Sequence, residues 1–164
     1  MRKIILFIAT SLDGYIAREN GDIDWLFTEG EYGYNEFYDS IDTVLMGGKT
    51  YRQVLTFGDE FPYATKQAYV FTRDVNHKSN EEVTFIHHDM LDFVQDLKSK
   101  KGKHIWLIGG SEINTAFLAS GLMDEMWLFV HPVILTKGIP LFYDTPADHW
   151  FKVNDIEEFE SGLI

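Results

Sequence analysis

Two pairs of adjacent glycines stand where apolar runs give way to helical spacing. Gly47-Gly48 follows Thr43-Val44-Leu45-Met46 and leads into Lys49-Thr50-Tyr51, while Gly109-Gly110 follows His104 to Ile108 and leads into Ser111-Glu112-Ile113. If each run is a strand and each follower a helix start, both pairs lie beyond the carboxyl ends of strands, where open α/β sheets bind ligands. A helix start there presents unpaired backbone N–H groups and a positive dipole end, which suits phosphate. Glycine lets the backbone come close to a ligand. Ser111 and Thr50 add hydroxyl donors and Lys49 a charge, so two such sites on one sheet suit the phosphates of a dinucleotide. Two tight turns that need small residues would leave the same pattern, and spacing alone does not separate these readings.

Other motifs fail on inspection. Gly48-Lys49-Thr50 is not a P-loop, because the position that needs the first glycine holds Thr43. No two glycines are spaced by two, so G-x-G-x-x-G is absent, which argues against a Rossmann domain. No G-x-S-x-G exists, so Gly110-Ser111 is not a nucleophile elbow. His87-His88-Asp89 reads as a solvated turn, since adjacent side chains at a strand end point to opposite faces. With no cysteine in the chain, disulfides, thiolate zinc sites and cysteine nucleophiles are excluded, and with the His pair read as a turn no metal site is expected.

The elements that must position the glycine pairs can be read from periodicity. Lys3 to Ala9 is a nearly continuous apolar run, as in a strand buried on both faces. Thr43–Met46, Ala68–Phe71, Val83–Ile86, His104–Ile108 and Met126–Val130 are expected strands, and the alternating Phe151–Ile156 an expected edge strand. Helical spacing recurs in Tyr34, Phe37, Tyr38 and Ile41, and again in Tyr51, Val54 and Leu55. A wider stripe, Met90, Leu91, Phe93, Val94 and Leu97, begins behind Asp89 and runs into a lysine cluster, as a helix dipole favours. Ile113, Ala116 and Phe117 mark a fourth helix. The alternation predicts one α/β domain over residues 1–164, its sheet largely parallel with an antiparallel edge.

Composition bounds the partners. The 164 residues are 45% apolar and carry a formal charge of −12, which disfavours nucleic acid and anionic membrane as partners. The six-residue apolar run after Met1-Arg2-Lys3 is too short for a signal peptide or a membrane span, and a cytoplasmic protein is expected.

Five segments together resemble the dihydrofolate-reductase-like superfamily, in particular the branch named for the C-terminal reductase domain of the riboflavin biosynthesis protein. They are Ile5–Ala17, Val44–Tyr51, Tyr69–Arg73, Trp106–Ile113, and Asp124-Glu125 through His131-Pro132-Val133 to Gly138–Phe142. The resemblance covers roughly positions 3 to 143. It implies a three-layer α/β/α fold around a mixed, mostly parallel sheet of about eight strands, with NADPH across the strand ends. Gly109 and Gly110 match a glycine pair joined by a cis bond against the cofactor phosphates, continued by Ser111, Glu112 and Ile113. Gly48, Lys49 and Thr50 match the other side of the pyrophosphate, Thr72 and Arg73 the grip on the 2′-phosphate, and Ala9 and Ile16 the nicotinamide walls.

The resemblance further implies a homodimer and a small heterocyclic substrate. The chemistry it names first is 5-amino-6-(5-phosphoribosylamino)uracil reduction in riboflavin synthesis. A pterin or folate reductase is the alternative, as is a nucleotide-binding module that has lost turnover. Trp25, Gln53 and Val54 are expected pocket walls. Asp24 is the candidate proton donor, with a helix cap or a surface carboxylate as its other reading. Ile108 stands where riboflavin-pathway reductases carry a glutamate, and Gly48 where dihydrofolate reductases carry a cation.

Overall fold

The computed structural model describes residues 1–164. In chain order the elements are β1 (Ile4–Ser11), β2 (Tyr15–Ala17), α1 (Tyr34–Ser40), β3 (Ile41–Gly47), α2 (Gly48–Val54), β4 (Gln67–Phe71) and β5 (Val83–Ile86). There follow α3 (Met90–Ser99), β6 (His104–Gly109), α4 (Ser111–Ala119), β7 (Glu125–His131) and β8 (Ile139–Pro140). Six strands form one sheet in the order β5-β4-β3-β6-β1-β7, every neighbouring pair parallel. A separate antiparallel ribbon joins β2 to β8.

The apolar runs are continuous because the sheet is covered on both faces. Ile5, Val44, Met46, Val70 and Trp106 point to one side, where they pack with Phe37 of α1 and Val54 of α2. Ile4, Leu6, Leu45, Ile105 and Leu107 point to the other, against Val94 and Leu97 of α3 and Phe117 of α4. Adjacent residues of β1 thus serve opposite layers, as the two-residue period of a strand requires. The α3 cap also forms as the sequence predicts. The Asp89 carboxylate accepts from the N–H groups of Leu91 (2.8 Å) and Asp92 (3.2 Å), satisfying two donors that have no partner within the helix.

The fold class stands as expected, with two corrections of detail. The eight strands divide into a six-stranded sheet and a two-stranded ribbon, and the main sheet has no antiparallel member. Phe151–Ile156 is not a strand. Residues 144–158 form no helix or strand, and nearly all of them are exposed. The outer edge of β7 is met instead by the C-terminal residue, through reciprocal hydrogen bonds between Val130 and Ile164 of 2.7 and 3.2 Å. Alternation in a sequence supplies a face but not the backbone partners of a ladder, and residues 151–156 make no backbone hydrogen bond to any strand. No helix is long and apolar enough to cross a membrane.

Candidate active site

A cleft of about 1430 Å³ opens along the carboxyl ends of the parallel strands. Ala9, Gly47, Phe71, Ile86 and Ile108 bring β1, β3, β4, β5 and β6 to its floor. The chain builds outward from β3 to β5 and then returns to insert β6 between β3 and β1. That reversal of strand order is where open α/β sheets place ligands.

The two glycine pairs meet at the centre of this cleft, each packed against the helix start that follows the other. A β-carbon on Gly47 would lie 3.0 Å from Ile113 Cγ1, and one on Gly110 would lie 3.3 Å from Thr50 Oγ1. Gly109 has φ +111°, in the region that favours glycine, and the Gly109–Gly110 bond is cis. Behind it the fully buried Asn114 donates from Nδ2 to the Leu141 carbonyl at 3.2 Å. Asn114 Oδ1 would stand 3.1 Å from a β-carbon on Gly109, so this side chain fixes the back of the glycine pair. No side chain caps α4, and the N–H groups of Ser111, Glu112 and Ile113 begin a helix whose first residues line the cleft.

Beyond the glycines the cleft divides into two ends of opposite chemistry. Toward β4 and β5 it is lined by Thr72, Arg73, Asp74, His87 and His88, with Lys49 and Arg52 contributed by α2 and Glu112 by α4, so the basic side chains outnumber the two carboxylates. Arg52 Nη1 and Thr72 Oγ1 each lie 3.7 Å from where a Gly48 β-carbon would stand, so the guanidinium sits over the end of β4. Lys49 reaches Glu112 across the opening at 3.4 Å, an exposed pair of little energetic weight. In a chain with 14 basic against 26 acidic residues, this concentration of positive charge suits an anionic group.

The other end is aromatic and apolar. Phe7 stacks on Phe37 with centroids 4.1 Å apart, and Trp106 donates from Nε1 to the Phe7 carbonyl at 3.0 Å. Tyr63 meets Trp106 edge-on at 5.3 Å. Its phenol makes no hydrogen bond within the chain and opens to the cleft, and burial pushes its pKa up, so it stays a neutral donor. Ile23, Leu26 and Phe57 close the side. Gln53 ties α2 to the loop after β2 by donating from Nε2 to the Gly21 carbonyl at 2.8 Å.

The structure brings most of the sequence-derived site residues to this cleft. Ala9, Ile16, Gly48, Lys49, Thr50, Thr72 and Arg73 line it, as do Gly110, Ser111, Glu112 and Ile113 and the wall residues Gln53 and Val54. Gly109 lies just behind the surface. Two residues fall elsewhere. The Trp25 ring is buried against the His131 imidazole, edge-on at 5.2 Å, rather than forming a wall. Asp24 lies outside the lining, its carboxylate bonded to the Arg18 guanidinium at 2.5 and 3.1 Å. The hydrogen bond from Arg18 holds the Asp24 pKa below the usual carboxylate value, which is the wrong direction for a proton donor.

Sequence reasoning missed Arg52, Tyr63, Trp106 and Asn114. Arg52 was open to discovery, since it falls one helical turn after Lys49. Tyr63 and Trp106 carry no local signal. They belong to segments that only the folded sheet brings together.

These features define a three-layer α/β domain with a ligand cleft at its strand ends, and its fold is like that of dihydrofolate reductase from Enterococcus faecalis (TM-score 0.63, 13% identity, 85% and 76% of the two chains). A family description, RibD C-terminal domain, matches residues 2–164, and the chain belongs to that family. It is similar to the Bacillus subtilis (strain 168) protein YwjB, at 41% identity over 99% of this chain and 95% of that one. Among solved structures it resembles a Shewanella sp. PV-4 protein described as a candidate riboflavin biosynthesis protein (TM-score 0.86, 30% identity, 98% and 94% of the two chains). It also resembles the Thermotoga maritima diaminohydroxyphosphoribosylaminopyrimidine deaminase/5-amino-6-(5-phosphoribosylamino)uracil reductase (TM-score 0.75, 21% identity). That likeness covers 99% of this chain and 55% of the larger protein, and it concerns the fold.

Proposed function

We propose that the chain is an NADPH-dependent reductase of a small heterocyclic substrate, with the chemistry of the reductase named in the Thermotoga protein as a precedent. One observation carries the reading. A cationic end, a pair of glycine-lined helix starts and an aromatic end follow one another along a single cleft, in the order that a phosphorylated nucleotide and a flat acceptor would need.

The residues present fit the cofactor. Gly110, Ser111, Glu112 and Ile113 would offer backbone N–H groups to the pyrophosphate from α4, and Gly48, Lys49 and Thr50 would close on it from α2. Thr72, Arg73 and Arg52 would hold the 2′-phosphate through charge-assisted hydrogen bonds. Ala9 and Ile16 would flank the nicotinamide. When bound, NADPH supplies a hydride. This chain's part is to set the acceptor ring against it and to keep the aromatic end apolar. Reduction of a C=N or C=O bond also needs a proton on the heteroatom. Tyr63, held neutral, would donate a hydrogen bond that orients the acceptor, and the open cleft admits water to deliver the proton.

The test is a titration of purified protein with NADPH and NADH, following quenching of tryptophan emission. Saturation by NADPH near or below about 10 μM, roughly −7 kcal/mol, with weaker NADH binding supports the reading. No quenching by either nucleotide, confirmed by calorimetry, removes it. Cofactor binding without oxidation across pterin and pyrimidine panels would favour a nucleotide-binding module instead.

A homodimer belongs to the same proposal. Trp150, Phe151, Val153 and Ile156 are exposed along residues 144–158, apolar surface that a second copy would cover. Sedimentation velocity reads this directly, a single species near 38 kDa (roughly twice the chain mass) being expected.

A further inference from the structure

The charge distribution along the cleft says more about the acceptor. Every basic side chain that lines it belongs to the β4–β5 end: Lys49, Arg52, Arg73, His87 and His88. The aromatic end has none. Its polar lining consists of Asn20, Asp22, Gln53, Thr56 and Tyr63, with the Glu19 carboxylate at the border. The two cations on adjoining chain are already matched, Arg18 by Asp24 at 2.5 Å and Lys137 by Glu19 at 3.0 Å. The starts of α2 and α4 lie at the glycine pairs, and α1, whose first residue Tyr34 packs edge-on against Phe7 and Trp106, contributes no residue to the cleft lining.

A phosphate monoester carries close to two negative charges at neutral pH and needs cationic or N–H partners when it leaves water. At this end it would meet an apolar wall and the Asp22 carboxylate, which has no cationic partner, while Glu19 is already matched by Lys137. A flat neutral ring meets Trp106, Phe7 and Tyr63, with a phenol and an amide for its polar edge. We propose that the aromatic end takes an uncharged, planar heterocycle that bears no phosphate, and that it discriminates against the phosphorylated form of the same ring. The inference rests on the reductase reading for the division of the cleft into a cofactor end and an acceptor end. It departs from the phosphorylated substrate class named in the Thermotoga protein.

Matched ligands test it. Riboflavin and FMN share a ring and differ by one phosphate, and 6,7-dimethyl-8-ribityllumazine with its ribityl phosphate forms a smaller pair. Binding of each is followed by anisotropy of the ligand's own fluorescence, at saturating NADP⁺ so that the cationic end is filled. NADP⁺ binding is measured first, and its failure removes the reductase reading on its own. With NADP⁺ bound, the unphosphorylated member of at least one pair should bind about tenfold or more tightly than its phosphate. The gap should narrow as salt is raised from about 0.02 to 0.5 M, because repulsion by Asp22 is screened. A phosphorylated member that binds as tightly as its partner, a gap indifferent to salt, or no binding by any of the four below about 1 mM overturns the proposal.

Discussion

The backbone N–H of Phe27 donates to Nε2 of His131 at 3.2 Å, while Nδ1 of the same ring lies 3.1 Å from the Phe129 carbonyl. Only a neutral imidazole protonated at Nδ1 satisfies both contacts, accepting from one and donating to the other. The ring thereby pins the loop after β2 to the end of β7. Burial is the main cause that lowers the His131 pKa, outweighing the backbone hydrogen bonds that would raise it.

The sign of the resulting pH dependence follows. The unfolded imidazole titrates near 6.5, and the folded one lower, so in between the unfolded chain binds more protons. Stability should therefore be intact above about pH 7 and fall as pH drops through about 6.5 toward the folded value. Chemical denaturation between about pH 5.5 and 7.5 should show this slope, and His131→Phe should flatten it while costing about 1–2 kcal/mol at pH 7.5. A slope that persists unchanged in the variant would assign it to another group.

Arg73 and Arg52 face the end of β4, and their charge is what should separate the two nicotinamide cofactors. Arg73→Ala removes a charge-assisted partner for a 2′-phosphate, worth about 1.5–3 kcal/mol, or roughly 10- to 100-fold in NADPH affinity. NADH affinity should change by less than about threefold, since NADH presents a hydroxyl there. Parallel losses for both nucleotides would place the adenosine elsewhere.

The Gly109 position tests the glycine pair itself. An alanine there meets φ +111° and a β-carbon only 3.1 Å from Asn114 Oδ1. Gly109→Ala should cost about 1–3 kcal/mol in thermal or denaturant unfolding and weaken NADPH binding at least about tenfold. Gly121 is also at positive φ (+69°) but has open space around it, so Gly121→Ala should lower stability with NADPH affinity unchanged. Equal nucleotide affinity in both variants would make the Gly109-Gly110 pair a turn and nothing more.

How much of this was legible beforehand depended on whether the signal is local. The Asp89 cap, the two glycine pairs and the buried strands were readable because each is fixed by a few neighbouring residues and a known period. Phe151–Ile156 has the period of a strand but pairs with no other strand, and pairing is what a sequence does not state. Tyr63 and Trp106 become one wall only because β6 inserts beside β3. Asp24 looked chemical from its place next to Trp25, yet Arg18, six residues earlier, turns toward it and takes its carboxylate out of the cleft.

That pairing makes Asp24→Asn a sharp control. The side chain is exposed and lies outside the cleft lining, so the variant should keep both kcat and KM within about twofold on any substrate that the wild type reduces. A large loss of kcat, with its pH profile displaced, would return Asp24 to the chemistry.

Tyr63→Phe asks the complementary question inside the aromatic end. The phenol is buried among Phe61, Val54 and Trp106 but has no hydrogen-bond partner in the chain, so its oxygen contributes no internal contact. Removing it should leave stability within about 0.5 kcal/mol. If the hydroxyl orients the acceptor, kcat/KM should fall by about 10- to 100-fold, the worth of one hydrogen bond to a reacting group, while NADPH affinity is unchanged. The alkaline side of the pH profile discriminates further. Burial raises the Tyr63 pKa above the ordinary phenol value, so the wild type should show no loss of activity from its ionisation below about pH 10. A variant with wild-type kcat/KM would leave Tyr63 as packing and pass the polar contact to another lining group, such as the Gln53 amide oxygen.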